Sequence, residues 1–153
     1  MRKLLLMLLT VIPLFTSCNK DDDDSFRNKQ YTFTEVNNSG ISGVVMIREV
    51  GAVNAESAIT IFLEGSNESD SYFTNVYTNS VSEEGEIIIP LEQFDSEGYS
   101  NTYVNGLYQN EEWDPENPIS YDKLITFDGH ILIRLNGTDG PVVATANIGS
   151  NAN

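Results

Sequence analysis

Between residue 30 and the C-terminus, apolar positions come in short runs that alternate with polar ones and are cut by Gly, Asn, Ser and acidic clusters. Ile41, Gly43, Val45 and Ile47 share one parity. So do Ile59, Ile61 and Leu63, then Ile87, Ile89 and Leu91, then Ile131, Ile133 and Leu135 with His130, Leu132 and Arg134 opposite. A period of two puts each set on one face of a strand, so the runs read as half-buried strands feeding a shared core. The pattern predicts strands near residues 30–36, 41–50, 58–63, 72–78, 86–91, 102–108, 130–135 and 142–148. No long helical period interrupts them.

The segments between have turn chemistry. Asn37-Asn38-Ser39-Gly40, Glu83-Glu84-Gly85 and Asn136-Gly137-Thr138-Asp139-Gly140-Pro141 suit tight returns between antiparallel strands. An acidic stretch between Asn110 and Tyr121 holds Pro115 and Pro118, which forbid a central strand, and is expected to be the largest loop. One short helix is expected near 120–127, with Ser120 as N-cap, Asp122 in its first turn and Asp128-Gly129 ending it. Short strands, one helix and no βαβ spacing predict an all-β fold: an antiparallel two-sheet sandwich, immunoglobulin-like in the broad sense.

The N-terminus follows another pattern. Arg2 and Lys3 precede an apolar stretch from Leu4 to Leu14, and Phe15-Thr16-Ser17-Cys18 ends on the only Cys. That is the layout of an export signal. The stretch is shorter than the roughly 20 apolar residues a spanning helix needs, and no basic stop follows it. Phe-Thr-Ser-Cys resembles the lipobox of bacterial lipoproteins, which implies cleavage before Cys18 and lipid attachment there, with fatty-acyl chains such as palmitate anchoring the mature protein. The acidic run Asn19 to Ser25 cannot bury itself and reads as a solvated tether. It resembles the tract behind the lipidated Cys of surface-exposed Bacteroidetes lipoproteins. This implies the outer membrane, facing the cell surface, with the periplasmic face as the alternative. The expected organisation is a signal peptide over 1–17, a lipidated Cys and acidic tether over 18–29, and one β domain over 30–153.

Composition narrows the chemistry. The 153 residues carry 23 acids against 8 bases, a net charge of −15, so the clustered Lys and Arg of a nucleic-acid binder are missing. One Cys rules out an intramolecular disulfide, and one His rules out His-pair metal motifs and weakens a Ser-His-Asp reading.

From about Tyr31 onward the chain resembles the CHRD (chordin-type) domain. The resemblance rests on Asn38 to Val45 with Arg48-Glu49, on Glu84-Gly85-Glu86-Ile87-Ile88-Ile89-Pro90-Leu91, and on Ser120 to Leu135 leading into Val143 to Gly149. The last stretch, with Tyr121-Asp122-Lys123-Leu124 and Phe127-Asp128-Gly129-His130-Ile131, is the most specific. The resemblance implies an immunoglobulin-like β-sandwich or barrel in the cell envelope and no settled activity. Bacterial members commonly carry Ala-His-Ile-His before the Glu-Gly turn and a further His in the Phe-Asp-Gly strand, which suggests a metal site. Here Asn75, Tyr77 and Arg134 stand at those three positions, and none suits a transition metal as imidazole does. The resemblance therefore implies no metal and no cofactor for this chain.

Among side chains that could carry chemistry, His130 reads as a surface strand residue, because no nucleophile elbow accompanies it. Carboxylates are abundant. Glu83 with Glu84, Glu111 with Glu112, or Asp114 with Glu116 could supply a glycosidase pair only if placed across a cleft. Tyr and Trp in loops are stronger pointers to a contact surface for a protein or glycan. Trp113, in a polar Pro-bounded segment, leads this group, with Tyr108 and Asp114 beside it as candidate partner-binding residues. The expected function is a non-catalytic binding or structural module held on the membrane through Cys18. The alternatives are a metal-handling domain using Asp114, Glu116 and Asp128, or a small carbohydrate-active enzyme.

Overall fold

The alternating runs fold as antiparallel strands in the computed structural model, which describes residues 26–52, 55–67, 69–83, 85–91, 93–95, 99–104, 107–109, 112–114 and 119–152. The strands are β1 (Asn28–Glu35), β2 (Ser42–Ala52), β3 (Ala55–Glu64), β4 (Tyr72–Thr78), β5 (Ile87–Pro90), β6 (Tyr99–Val104), β7 (Leu107–Gln109), β8 (Glu112–Asp114), β9 (Asp128–Leu135) and β10 (Val142–Gly149). Eight of them bond edge to edge in the order β5-β4-β9-β10-β1-β2-β3-β6. This series curls into a half-barrel, and β7 and β8 form a separate two-stranded ribbon.

Parity decides what the curl encloses. Val45 and Ile47 of β2 lie opposite Ile61 and Ile59 of β3, and Val76 of β4 lies opposite Ile131 of β9. All six are buried, together with Phe33, Tyr72, Ile133 and Ile148. Burying each large aliphatic side chain contributes about 1.5–3 kcal/mol relative to leaving it in water, so this face holds the sheet curved. Leu124, on the one helix α1 (Tyr121–Thr126), packs into the same core. The helix is capped as expected: the Ser120 side chain accepts a hydrogen bond from the Lys123 amide at 3.3 Å, and Asp122 sits in the first turn.

The hairpin between β1 and β2 turns on Asn37 and Asn38, both at positive φ (58° and 53°), and the Ser39 amide donates to the Val36 carbonyl at 3.2 Å. Two consecutive left-handed residues match the right-handed twist of the strands they join, which is why Asn is found there. Gly43 serves a different need. Its φ is +145°, and a Cβ at that position would overlap the Phe62 carbonyl oxygen of β3.

Three sequence expectations are corrected. Ile87, Ile89 and Leu91 do not share a face, because Tyr77 pairs with Ile87 while Val76 pairs with Ile89, which leaves Ile88 as the extra residue of a bulge. Ile87 is consequently 40% exposed while Ile89 is buried. The single strand expected over 102–108 is two, β6 and β7, which pair in different sheets. The acidic segment after Asn110 is not all loop, since Glu112–Asp114 is a strand; Pro115 and Pro118 lie outside the described residues. Cys18 and the acidic tract to Ser25 also lie outside them.

Candidate functional site

The three candidate partner-binding residues fall on one small hairpin. Tyr108 of β7 is the register partner of Trp113 of β8, and Leu107 is the partner of Asp114. The β7–β8 ribbon lies against β5, the edge strand that carries the exposed Ile87. Sequence reasoning placed Trp113 in a loop and Tyr108 at the end of a long strand. The structure instead makes them facing positions of a ladder. The matched triplets Leu107-Tyr108-Gln109 and Glu112-Trp113-Asp114 around a two-residue break were the available signal.

Asn75, Tyr77 and Arg134 lie on the sheet face turned away from the core. On β4 the residues alternate, with Tyr72, Thr74 and Val76 buried and Phe73, Asn75 and Tyr77 half-buried. Across the ladder to β9 the pairs are Phe73 with Arg134, Asn75 with Leu132, and Tyr77 with His130. Asn75 and Tyr77 are thus neighbours on one face. Arg134 stands two rungs from Asn75 and four from Tyr77, and its guanidinium donates to the Gly140 carbonyl at 2.9 Å, tying the turn between β9 and β10.

His130 is not a surface residue. It is 2% exposed, its ring stacks on Tyr77 with centroids 5.3 Å apart, and its Nδ1–H donates to the Asn79 carbonyl at 2.9 Å. The donor role follows from the partner, because a carbonyl can only accept. The imidazole is therefore held as a packing element, with one nitrogen committed to the chain that leaves β4. Asp128, two residues earlier, is exposed and accepts from the Asn151 side-chain amide. Among the described residues, no three His, Cys, Asp or Glu side chains converge on a common point. Of the carboxylates considered as pairs, Glu84, Glu111 and Glu116 lie outside the described residues, and Glu83 accepts from the Ser80 hydroxyl at 3.0 Å.

A cationic clamp stands where the chain enters the domain. Arg27 bridges Glu49 of β2 and Asp122 of α1, with contacts of 2.8 Å to each, and its guanidinium lies 4.7 Å from the Tyr121 ring centroid. Hydrogen bonding to Arg27, more than any other influence, holds the Glu49 carboxyl below its ordinary range. Arg27 was not singled out in the sequence, where nothing local distinguishes it. Its partners come from β2 and from the helix near the far end of the chain.

The described helix is short, and no helix among the described residues is long and apolar enough to cross a membrane. Comparison of the chain with protein-family models, with characterised proteins and with solved structures returned no match in any of the three.

Proposed function

We propose that the protein is a lipid-anchored cell-envelope lipoprotein, held in the outer membrane through Cys18 and facing the cell surface, whose β domain is a CHRD-like binding module without catalytic function. The observation that carries the binding role is the pairing of Tyr108 with Trp113 on a ribbon separate from the eight-stranded sheet. Tyr and Trp supply large contact area at low entropic cost and are the residues in which binding hot spots are enriched, which supports the ribbon as the binding surface. The anchoring role rests on the signal segment and on Phe15-Thr16-Ser17-Cys18. The same reading takes the curled sheet as an immunoglobulin-like two-sheet sandwich that divides at β1. In support, that strand pairs with β2 over Asn28 to Phe33 and with β10 only at Thr34 and Glu35.

The test has two arms in intact cells making the full chain. Radiolabelled palmitate is expected to enter the wild-type protein and not Cys18→Ala, and external protease is expected to remove the domain from unbroken cells. A photo-crosslinking residue at position 113 is expected to give a discrete adduct, while one at the exposed Asp139 in the β9–β10 turn gives none. Label in the Cys18→Ala protein would overturn the anchor. Equal cross-linking at both positions, or none at 113, would overturn the ribbon as the binding surface.

A further inference from the structure

The eight-stranded series has a gap within it. β10 stays paired with β9 down to Gly149 opposite Asp128, and β1 stays paired with β2 down to Asn28 opposite Arg48. Between themselves, β1 and β10 register only Thr34 with Thr145 and Glu35 with Ala144, just beyond the bond from the Val36 amide to the Val143 carbonyl. Toward the Asn28 and Gly149 ends the two strands therefore part, each still held on its other side. A groove of about 650 Å³ occupies the wedge. Its walls are runs of consecutive residues, Lys29 to Thr32 from β1 and Thr145 to Asn147 from β10. A groove across a sheet face would be lined by alternate residues. Residues of both parities line this one, so backbone of β1 and β10 contributes to the walls, in keeping with the gap in their register.

Alternation fixes which backbone groups look into the wedge. Antiparallel residues send both their N–H and C=O to one side, then to the other. The Val36 amide bonds toward β10, so stepping by two along β1 assigns Thr34, Thr32 and Gln30 to that side, and leaves Tyr31 and Lys29 to bond β2. Thr34 meets Thr145, whereas Thr32 and Gln30 have no register partner on β10. An open strand edge of this kind is a template for another extended chain.

Charge says what kind of chain. The protein as a whole is strongly acidic, yet the described residues lining the wedge are threonines, small or amide residues, Tyr31, Val81 and one cation, Lys29, with no carboxylate among those described. Lys29 is a charge complement there for an acidic side chain of a guest peptide, which the acidic remainder of the surface is not.

We infer that the wedge between β1 and β10 is a strand-addition site that takes an extended, neutral to acidic peptide segment of a partner protein, hydrogen-bonded to the open edge of β1 at Gln30 and Thr32. This rests on the binding-module reading and adds a second surface to the β7–β8 ribbon. Specificity would come from alternate side chains of the guest meeting Thr32, Thr145 and Asn147, and from an acidic residue reaching Lys29.

The experiment uses the purified full chain, ¹⁵N-labelled, and the acetylated, amidated peptide Asp-Thr-Val-Thr-Val-Thr-Asp as probe. Saturable binding is expected by about 1 mM, with amide exchange at Gln30 and Thr32 slowed at least about tenfold. The same peptide N-methylated at alternate residues is expected not to bind, since it lacks the edge-pairing donors. Gln30→Pro removes a donor that faces the wedge and none from the β1–β2 ladder, so it is expected to keep the native melt and lose the probe. Lys29→Glu, which leaves the backbone edge intact, is expected to weaken binding about threefold. The proposal is overturned by slow Gln30 and Thr32 exchange in the free protein, which would mean a closed edge. It is also overturned by absence of saturation, or by undiminished binding of the N-methylated probe. Because none of these readouts involves Trp113 or Cys18, the site can fail while cross-linking at position 113 still supports the binding module.

Discussion

The Tyr77 ring lies on the His130 imidazole with planes 14° apart, and the two residues are direct register partners of β4 and β9. This pair closes the outward face of the sheet at the end where β4 leaves it. His130→Ala removes the stack and the bond to Asn79 together and is expected to cost about 2–3 kcal/mol in urea unfolding. His130→Phe keeps a ring against Tyr77 and loses only the hydrogen bond, with an expected cost of about 1 kcal/mol. A double-mutant cycle with Tyr77→Ala should give a coupling near 0.5–1.5 kcal/mol. Independent, additive losses would mean that the stack does not contribute.

The Arg27 clamp predicts a pH signature. A carboxyl held below its ordinary range binds its proton less readily in the folded than in the unfolded chain. Its stabilisation is therefore present above the ordinary glutamate range and is lost as pH falls through the lowered value. Thermal melts of wild type and Glu49→Gln are expected to differ at neutral pH and to converge on acidification below the ordinary carboxylate range. Because Arg27 is half exposed, the neutral-pH difference should also shrink in high salt. A gap that persists in acid would assign the loss to something other than the ion pair.

How much of this was legible in the chain depends on the reach of each signal. The strand parity of Ile59, Ile61 and Leu63 and the capping by Ser120 are local, and both appear in the structure where the pattern put them. The burial of His130 is not local. Parity assigned it correctly to the face opposite Ile131, but its cover is Tyr77 of another strand and the carbonyl of Asn79. Alternation states which residues share a face and says nothing of where a ladder slips, so the bulge at Ile88 had no trace. The pairing of Trp113 with Tyr108 lies between these cases: the two matched triplets were visible, and the prolines beyond them drew the segment toward a loop reading.

The bulge can be tested by two substitutions of the same chemistry. Unbroken alternation would make Ile87 and Ile89 equivalent, while the observed register buries Ile89 and leaves Ile87 40% exposed. Ile89→Ala is therefore expected to cost about 2–4 kcal/mol, and Ile87→Ala under about 1 kcal/mol. Equal costs in denaturant unfolding would remove the bulge.

Two glycines of the β1–β2 hairpin separate backbone strain from steric contact. Gly40 has φ +73° with no atom within 4 Å of a Cβ built on it, so alanine there meets only the left-handed conformational penalty, about 1 kcal/mol. Gly43 has both a positive φ and the Phe62 carbonyl where the Cβ would go, and backbone atoms of a central ladder cannot step aside as a side-chain end can. Gly43→Ala is expected to cost about 2 kcal/mol or more beyond Gly40→Ala, because β2 and β3 must separate locally to admit the methyl group. Amide exchange should localise the damage: faster exchange along the Val44–Phe62 and Val45–Ile61 rungs in Gly43→Ala, and none in Gly40→Ala. If both variants melt alike, the close approach of β3 to Gly43 does not constrain that position, and the conformational penalty alone explains the glycine.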